Sequence, residues 1–206
     1  MLLGDPPALE AIQFRADLIH KHRVAPTPDE LKAQGGRAAL FQGGNLLLYH
    51  NPVGDVASNR RSATFDWSLS GVAHGQGKPA TSSGGGVGWF LANDSKVKDE
   101  TWELMKVLAS KESVKLEAVR GEAPPSRRSV ASDPEFVSPP DPPKGEMKVV
   151  VEALELIHTE TPLLQGVDID AVLDDELGKV WSGAQTARDG VAKAVDRIKP
   201  LLNQPS

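Results

Sequence analysis

Phe65-Asp66-Trp67-Ser68-Leu69 opens the stretch that decides the fold. It continues through Ser82-Ser83-Gly84-Gly85-Gly86-Val87-Gly88-Trp89-Phe90-Leu91 and closes on Ala123-Pro124-Pro125-Ser126-Arg127. The opening five residues alternate apolar and polar and are followed by turn formers, which predicts a strand leaving a sheet. The glycines before Val87-Gly88-Trp89-Phe90-Leu91 let the backbone pass close to something, either another segment of the chain or a ligand. They do not make a dinucleotide fingerprint, because Trp89 stands where a third glycine is needed. The residues after them read as a second strand.

Working outward, Asp5 with Pro6 and Pro7 predicts a helix start, and Leu9, Ile12, Ala16 and Ile19 fall on one helical face. His20 and His22 are two apart, point to different faces, and make a poor metal pair. Thr27-Pro28-Asp29-Glu30 has the spacing of a capping box. Ala38 to Phe41 reads as a short buried strand, Gly43-Gly44-Asn45 as the start of a helical turn through Tyr49, and Asn51 to Arg61 as a loop. Lys98–Ala109 and Lys111–Arg120 read as helices, the second ended by Gly121. The proline-rich run from Ser132 to Lys144 reads as a semi-rigid connector. Met147, Val150, Val151, Leu154 and Ile157 fit one helical face, which Pro162 and Gly166 break. Ile169, Val172, Leu173, Leu177, Val180 and Trp181 fit another, and Val191, Ala194, Val195, Ile198 and Leu202 a third.

Composition bounds the function. At 206 residues the chain can bury a real core, and 39% apolar with 25% charged residues is a globular balance. A net charge of −5 without a basic stripe argues against nucleic acid. Zero cysteines remove disulfides, thiol nucleophiles and thiolate metal sites together. Asp168, Asp170, Asp174 and Asp175 lack the glycine and terminal glutamate of a calcium loop and read as a solvated, acidic helix start. No Gly-x-Ser-x-Gly elbow, phosphate-binding loop or His-Glu-x-x-His motif is present, so the expectation is a binder, not an enzyme, with no cofactor and no metal. A glycosidase would need two carboxylates facing each other across a sugar. Met1-Leu2-Leu3-Gly4-Asp5 has neither a charged n-region nor an apolar h-region.

Six pieces in order carry a resemblance: Gly36-Arg37-Ala38-Ala39-Leu40-Phe41, Gly43-Gly44-Asn45, Phe65-Asp66-Trp67, Gly84-Gly85-Gly86, Ser95-Lys96 with Glu100-Thr101-Trp102-Glu103, and Gly121-Glu122-Ala123-Pro124-Pro125-Ser126-Arg127. Together they resemble the C-terminal half of the family 1 extracellular solute-binding proteins, the sugar-capturing subunits of ABC importers related to maltose-binding protein. The resemblance implies an α/β fold of the type II periplasmic-binding-protein kind, helix-rich, with a few short strands and incomplete lobes. It divides the chain into 1–64, part of the C-terminal lobe; 65–130, inter-lobe crossing strands with part of the N-terminal lobe; and 131–206, C-terminal helices. It also implies exposed apolar sheet edges.

The same resemblance implies a sugar or oligosaccharide ligand, ABC permease subunits as partners, a monomer peripheral to the membrane, and a periplasmic or lipoprotein-anchored place that conflicts with the missing export signal. Asn45 stands where relatives present a stacking tryptophan; it can bond a hydroxyl or simply cap a helix. Tyr49 is the nearest ring to replace it. Trp67 is either cleft wall or core. Ser83, Gly84 and Gly85 belong to the segment that relatives hold at the cleft, and Asp170 falls where some place a ligand contact. Arg127 either donates to hydroxyls or a carboxylate, or caps a preceding helix or simply faces water. The alternative readings are a truncated, non-transporting helical interaction module and, further off, a carbohydrate-active enzyme.

Overall fold

The computed structural model describes residues 2–50, 52–85, 87–143, 146–159 and 163–203, with Ser83 described in its backbone alone. Asn51, Gly86, Lys144 and Pro162, which enter the sequence reading, lie outside the described residues. The elements in order are α1 (Pro6–His20), α2 (Pro28–Ala33), α3 (Arg37–Gln42), α4 (Asp55–Ser62), β1 (Ser82–Ser83), α5 (Lys98–Leu108), α6 (Lys111–Arg120), α7 (Arg128–Ala131), α8 (Pro134–Val137), α9 (Lys148–Leu154), β2 (Ile157–His158), α10 (Gly166–Trp181) and α11 (Ala187–Leu202). They form two compact units, one of Met1–Leu40 with Thr161–Ser206, the other of Phe41–Glu160.

The first unit is helical. α11 buries Ala187, Gly190, Val191, Ala194 and Ile198, a three-and-four spacing that keeps one face on its neighbours. Gly190 lets α10 come close, because a Cβ there would stand 2.5 Å from Val180 Cγ2. α1 adds Ala16, Leu9 and Ile12 to the cluster around Val180 and Ala187. His20 at the end of α1 donates through Nε2 to the Val180 carbonyl at 3.1 Å. Thr27 and Glu30 make both bonds of the expected capping box at the start of α2, whereas the Asp5 side chain makes no capping bond to α1.

One carboxylate in this unit is buried. Glu176 is 4% exposed, accepts from Arg197 Nη1 at 2.5 Å and Gln185 Nε2 at 3.1 Å, and pairs with Lys179 at 3.3 Å. Asp175 bonds the same Arg197 and Lys179. The Gln185 amide, then Arg197, holds the Glu176 carboxyl below its ordinary range; Arg197, then Lys179, does the same for Asp175.

The second unit packs α4, α6, α7, α8 and α9 around Val56, Ala118, Val130, Phe136, Met147 and Val150, with Trp67 and Leu69 against that cluster. Gly121 ends α6 in the left-handed region at φ 76°, and a Cβ on it would stand 2.5 Å from Val56 Cγ1. The Ala57 N–H donates to the Gly121 carbonyl at 3.2 Å, so α4 docks on this one glycine.

Several expectations are corrected. Ala38–Phe41 is helical, not a strand, because Ala and Leu after a glycine favour the local bond that Leu40 N–H makes to Gly36 C=O at 3.1 Å. Gly44, at φ 73° with its N–H on the Phe41 carbonyl, ends that helix instead of starting another. Asp55–Ser62 is a helix where a loop was expected, since it has Val56, Ala57 and Asn59 to bury. Asp133 caps a single turn within the proline-rich connector. Phe65–Leu69 alternates Trp67 and Leu69 inward, as expected, but forms no strand. The Leu69 N–H goes to Glu146 Oε2 at 2.9 Å in place of a ladder. Val87–Leu91 is not a strand either. The described sheet is β1 paired in parallel with β2, Ser82 opposite Ile157 and Ser83 opposite His158, so Ile157 leaves the helix predicted for it.

Two outcomes test this packing. A carboxyl depressed in the folded state contributes stability above its unfolded value, about 4, and that stability is lost as pH falls through the folded value. The first unit therefore weakens on acidification below about pH 4. Glu176→Gln lowers Tm at pH 7 and flattens the acid limb, read by circular dichroism at pH 7 and pH 3. Gly121→Ala combines a positive φ with a collision against Val56 and costs about 2–4 kcal/mol in urea denaturation.

Candidate ligand-binding surface

Phe41, at the end of α3, is the hub of a ring cluster. Its centroid lies 4.8 Å from Tyr49, 5.4 Å from Phe65 and 6.4 Å from Trp67, the last two edge-on at 69° and 85°. Tilted and edge-on contacts match the positive edge of one ring to the negative face of the next. The extended Phe65–Leu69 segment sends Trp67 toward this hub, and the Glu146 carboxylate fixes its backbone through Leu69.

Tyr49 is held at both ends. Its hydroxyl donates to Asp55 Oδ2 at 3.3 Å and accepts from Asn59 Nδ2 at 2.9 Å, and the buried Asn59 takes Gln42 Nε2 on its own carbonyl oxygen at 3.0 Å. Beside Trp67 is an open cavity of about 190 Å³ lined by Asp66, Trp67, Ser68, Pro142 and Glu146. An aromatic wall with two carboxylates and a hydroxyl is suited to hydroxyl-rich ligands: the ring covers an apolar face, and the carboxylates accept hydrogen bonds. The volume is below the roughly 300 Å³ of a drug-sized pocket, so it seats one edge of such a ligand.

Sequence-expected residues divide around this surface. Tyr49 and Trp67 meet across Phe41, and Asn45 is exposed four residues before Tyr49. The Ser83 backbone is paired with β2. The closeness that Gly84 permits is to Ile157, whose Cδ1 lies 2.9 Å from where a Cβ would stand; Gly85 is exposed. Arg127 donates to the Ala109 carbonyl at 2.6 Å, which caps the end of α5. Asp170 is exposed on α10 in the first unit. Sequence reasoning missed Phe41 as the hub, having taken it for strand core, and missed Asp66 and Glu146. Phe65-x-Trp67 carried the signal for Asp66; nothing local marks Glu146, 77 residues from Leu69.

No family model matches the chain, and a search of curated proteins finds no match. Solved structures do match. An ABC substrate-binding protein from Listeria monocytogenes in complex with cycloalternan superposes with a TM-score of 0.78 at 18% identity, over 98% of this chain and 51% of that one. Maltose-bound MalE3 of T. maritima gives 0.78 at 20%, over 97% and 51%. The maltose-maltodextrin binding protein of the thermoacidophilic bacterium Alicyclobacillus acidocaldarius gives 0.75 at 20%, over 96% and 51%. The chain carries part of the type II periplasmic-binding-protein fold. It spans about half the length of the substrate-binding proteins it matches, and these neighbours are binding proteins, not enzymes. The half coverage agrees with the expected resemblance to one half of such a protein, and the short β1–β2 pair with the expected scarcity of strands. Among the described residues no helix is long and apolar enough to cross a membrane.

Tyr49→Phe tests the ring cluster. It strips the acceptor from the buried Asn59 amide and costs about 1–3 kcal/mol in chemical denaturation.

Proposed function

We propose that this chain is the sugar- or oligosaccharide-binding part of an ABC importer's substrate-capture protein, in which two lobes close on the ligand and the loaded form docks on the permease. The observation that carries the reading is the superposition over 96–98% of the chain on three substrate-binding proteins whose descriptions name cycloalternan, maltose or maltodextrin. The Trp67 shelf supports it chemically. Ring stacking against a pyranose needs one well-held aromatic face, and Phe41 and Glu146 supply the holding. The carboxyl oxygens of Asp66 and Glu146 would accept from ligand hydroxyls, which suits a hydroxyl-rich saccharide. Binding does the work through different affinities of the open and closed states, without chemistry on the ligand.

In this reading Trp67 is the platform, Asn45 a nearby amide for hydroxyls, and Tyr49 the ring that braces the hub. Ser83, Gly84 and Gly85, with Arg127 and Asp170, are further contacts of the complete protein. The protein works as a monomer outside the cytoplasmic membrane, in the periplasm or held there by a lipid anchor. One observation favours a second reading: with about half the matched length present, the chain can serve as a non-transporting interaction module instead.

Titration calorimetry with maltose, maltotriose and cycloalternan separates the two. The proposal expects saturable heat with at least one of them and a loss of about tenfold or more in affinity for Trp67→Ala, partly restored in Trp67→Phe. Absence of heat with every saccharide would sink sugar capture by this chain and leave the interaction module.

A further inference from the structure

Arg15 and Arg37, both in the first unit, stand near enough to repel each other and have no acid between them. Arg15, on α1, lies over the half-buried Trp181 ring at the end of α10, its Cζ 4.2 Å from the ring centroid. This cation–π stack occupies the flat face of the guanidinium and fixes its plane. The N–H donors lie along the edge of that plane and stay available. Arg37, exposed at the start of α3, is the charged neighbour: burial and then the Arg37 charge lower the Arg15 pKa. Among the described residues, neither guanidinium makes a hydrogen bond or an ion pair. Other cations are treated differently in this chain of net charge −5. Lys115 has Asp133 and Glu135, and Arg197 has Asp175 and Glu176.

A bound anion would turn that repulsion into attraction, on a guanidinium already held in place. Phe14, on the same turn of α1 as Arg15, is 64% exposed and adds an apolar ring to the surface. A peptide with an aliphatic residue beside its acid uses both the ring and the charges, whereas a free phosphate uses only the charges. We propose that Arg15 and Arg37, braced by Trp181, form a docking site for an acidic peptide segment of another protein, whose carboxylates take the two guanidiniums. Neither Trp67 nor a saccharide enters this site, so it is independent of the function proposed above.

Fluorescence anisotropy with a fluorescein-labelled hexapeptide of four glutamates and two leucines reads binding at low salt, and the Arg15 Nε–H signal in nitrogen-edited NMR reads the place. The expected result is saturable binding that moves the Arg15 signal and weakens about tenfold or more in Arg15→Gln and in Arg37→Gln. Arg15→Lys keeps the charge but loses the planar stack, and should recover little of the affinity. Arg37→Gln relieves a repulsion and should not lower Tm of the free chain, so binding lost there is not fold lost. Arg120→Gln makes the same change in net charge at an exposed position of α6 and should leave the affinity as it is; an equal loss there overturns the site in favour of diffuse attraction. Absence of saturable binding overturns the proposal, as does binding that leaves the Arg15 signal in place. Saturation by inorganic phosphate with no binding of the peptide overturns it in favour of a small anion.

Discussion

The guanidinium of Arg60 ties together the pieces on which the Trp67 shelf rests. From α4 it donates through Nε to the Pro142 carbonyl at 2.8 Å and through Nη1 to the Val119 carbonyl at 2.5 Å. One side chain thus pins the end of α6 and the proline-rich connector to the same helix. Its burial lowers the pKa while Asp141 opposes the shift, yet an arginine stays charged at neutral pH. Nη2 is buried without a partner, and a stranded donor of this kind is costly. The arrangement holds because the rigid fork reaches two carbonyls that a lysine's single ammonium would not reach together. Pro142 then lines the cavity beside Trp67, and Glu146, four residues on, holds Leu69.

The first unit solves its packing differently. Small residues carry the close approach: Gly190 and Ala194 on α11 leave room for Val180 and the α10 backbone. Close helices bring Glu176 into the interior, where Gln185, Arg197 and Lys179 must satisfy it. Its buried charge is therefore a consequence of the small-residue seam, and its partners come from the same two helices and their connection. The second unit has larger side chains, close glycine contacts at Gly121 and Gly84, and a half-buried cation at Arg60. Among the described residues, Glu176 in the first unit and Arg60 in the second each link elements that must stay in register.

Helices were largely legible in the sequence and strands were not, for one physical reason. A helix closes its hydrogen bonds within four residues, so Thr27 with Glu30, Gly121, and the apolar spacing of α10 and α11 announce themselves locally. The exceptions are instructive. Asp55–Ser62 looked like a loop because its sequence is polar, and its helix depends on the distant pocket that takes Val56 and Asn59. Phe65–Leu69 has the alternation of a strand and uses it, half-burying Trp67 and Leu69, but its backbone partner is a side chain far along the chain. Arg127 and Gly84 were legible as residues with a task. Sequence left two tasks open for each, and in both the structure shows the contact within the chain: a helix cap for Arg127 and Ile157 for Gly84.

This asymmetry bears on a chain that spans half of an α/β fold. Removing neighbours from a helix leaves its ladder intact and exposes only its stripe, as on α5. Removing neighbours from a strand takes away the ladder itself, and the segment survives as extended backbone with its side-chain alternation but no pairing. Phe65–Leu69 fits that description, Val87–Leu91 is exposed throughout without alternation, and β1 and β2 persist because each has the other. The scarcity of strands and the exposed apolar residues occur together in a chain that spans about half the length of the structures it matches. Trp67 escapes the loss because Phe41, Pro142 and Glu146 come from its own unit. The shelf can stand without a complete sheet behind it.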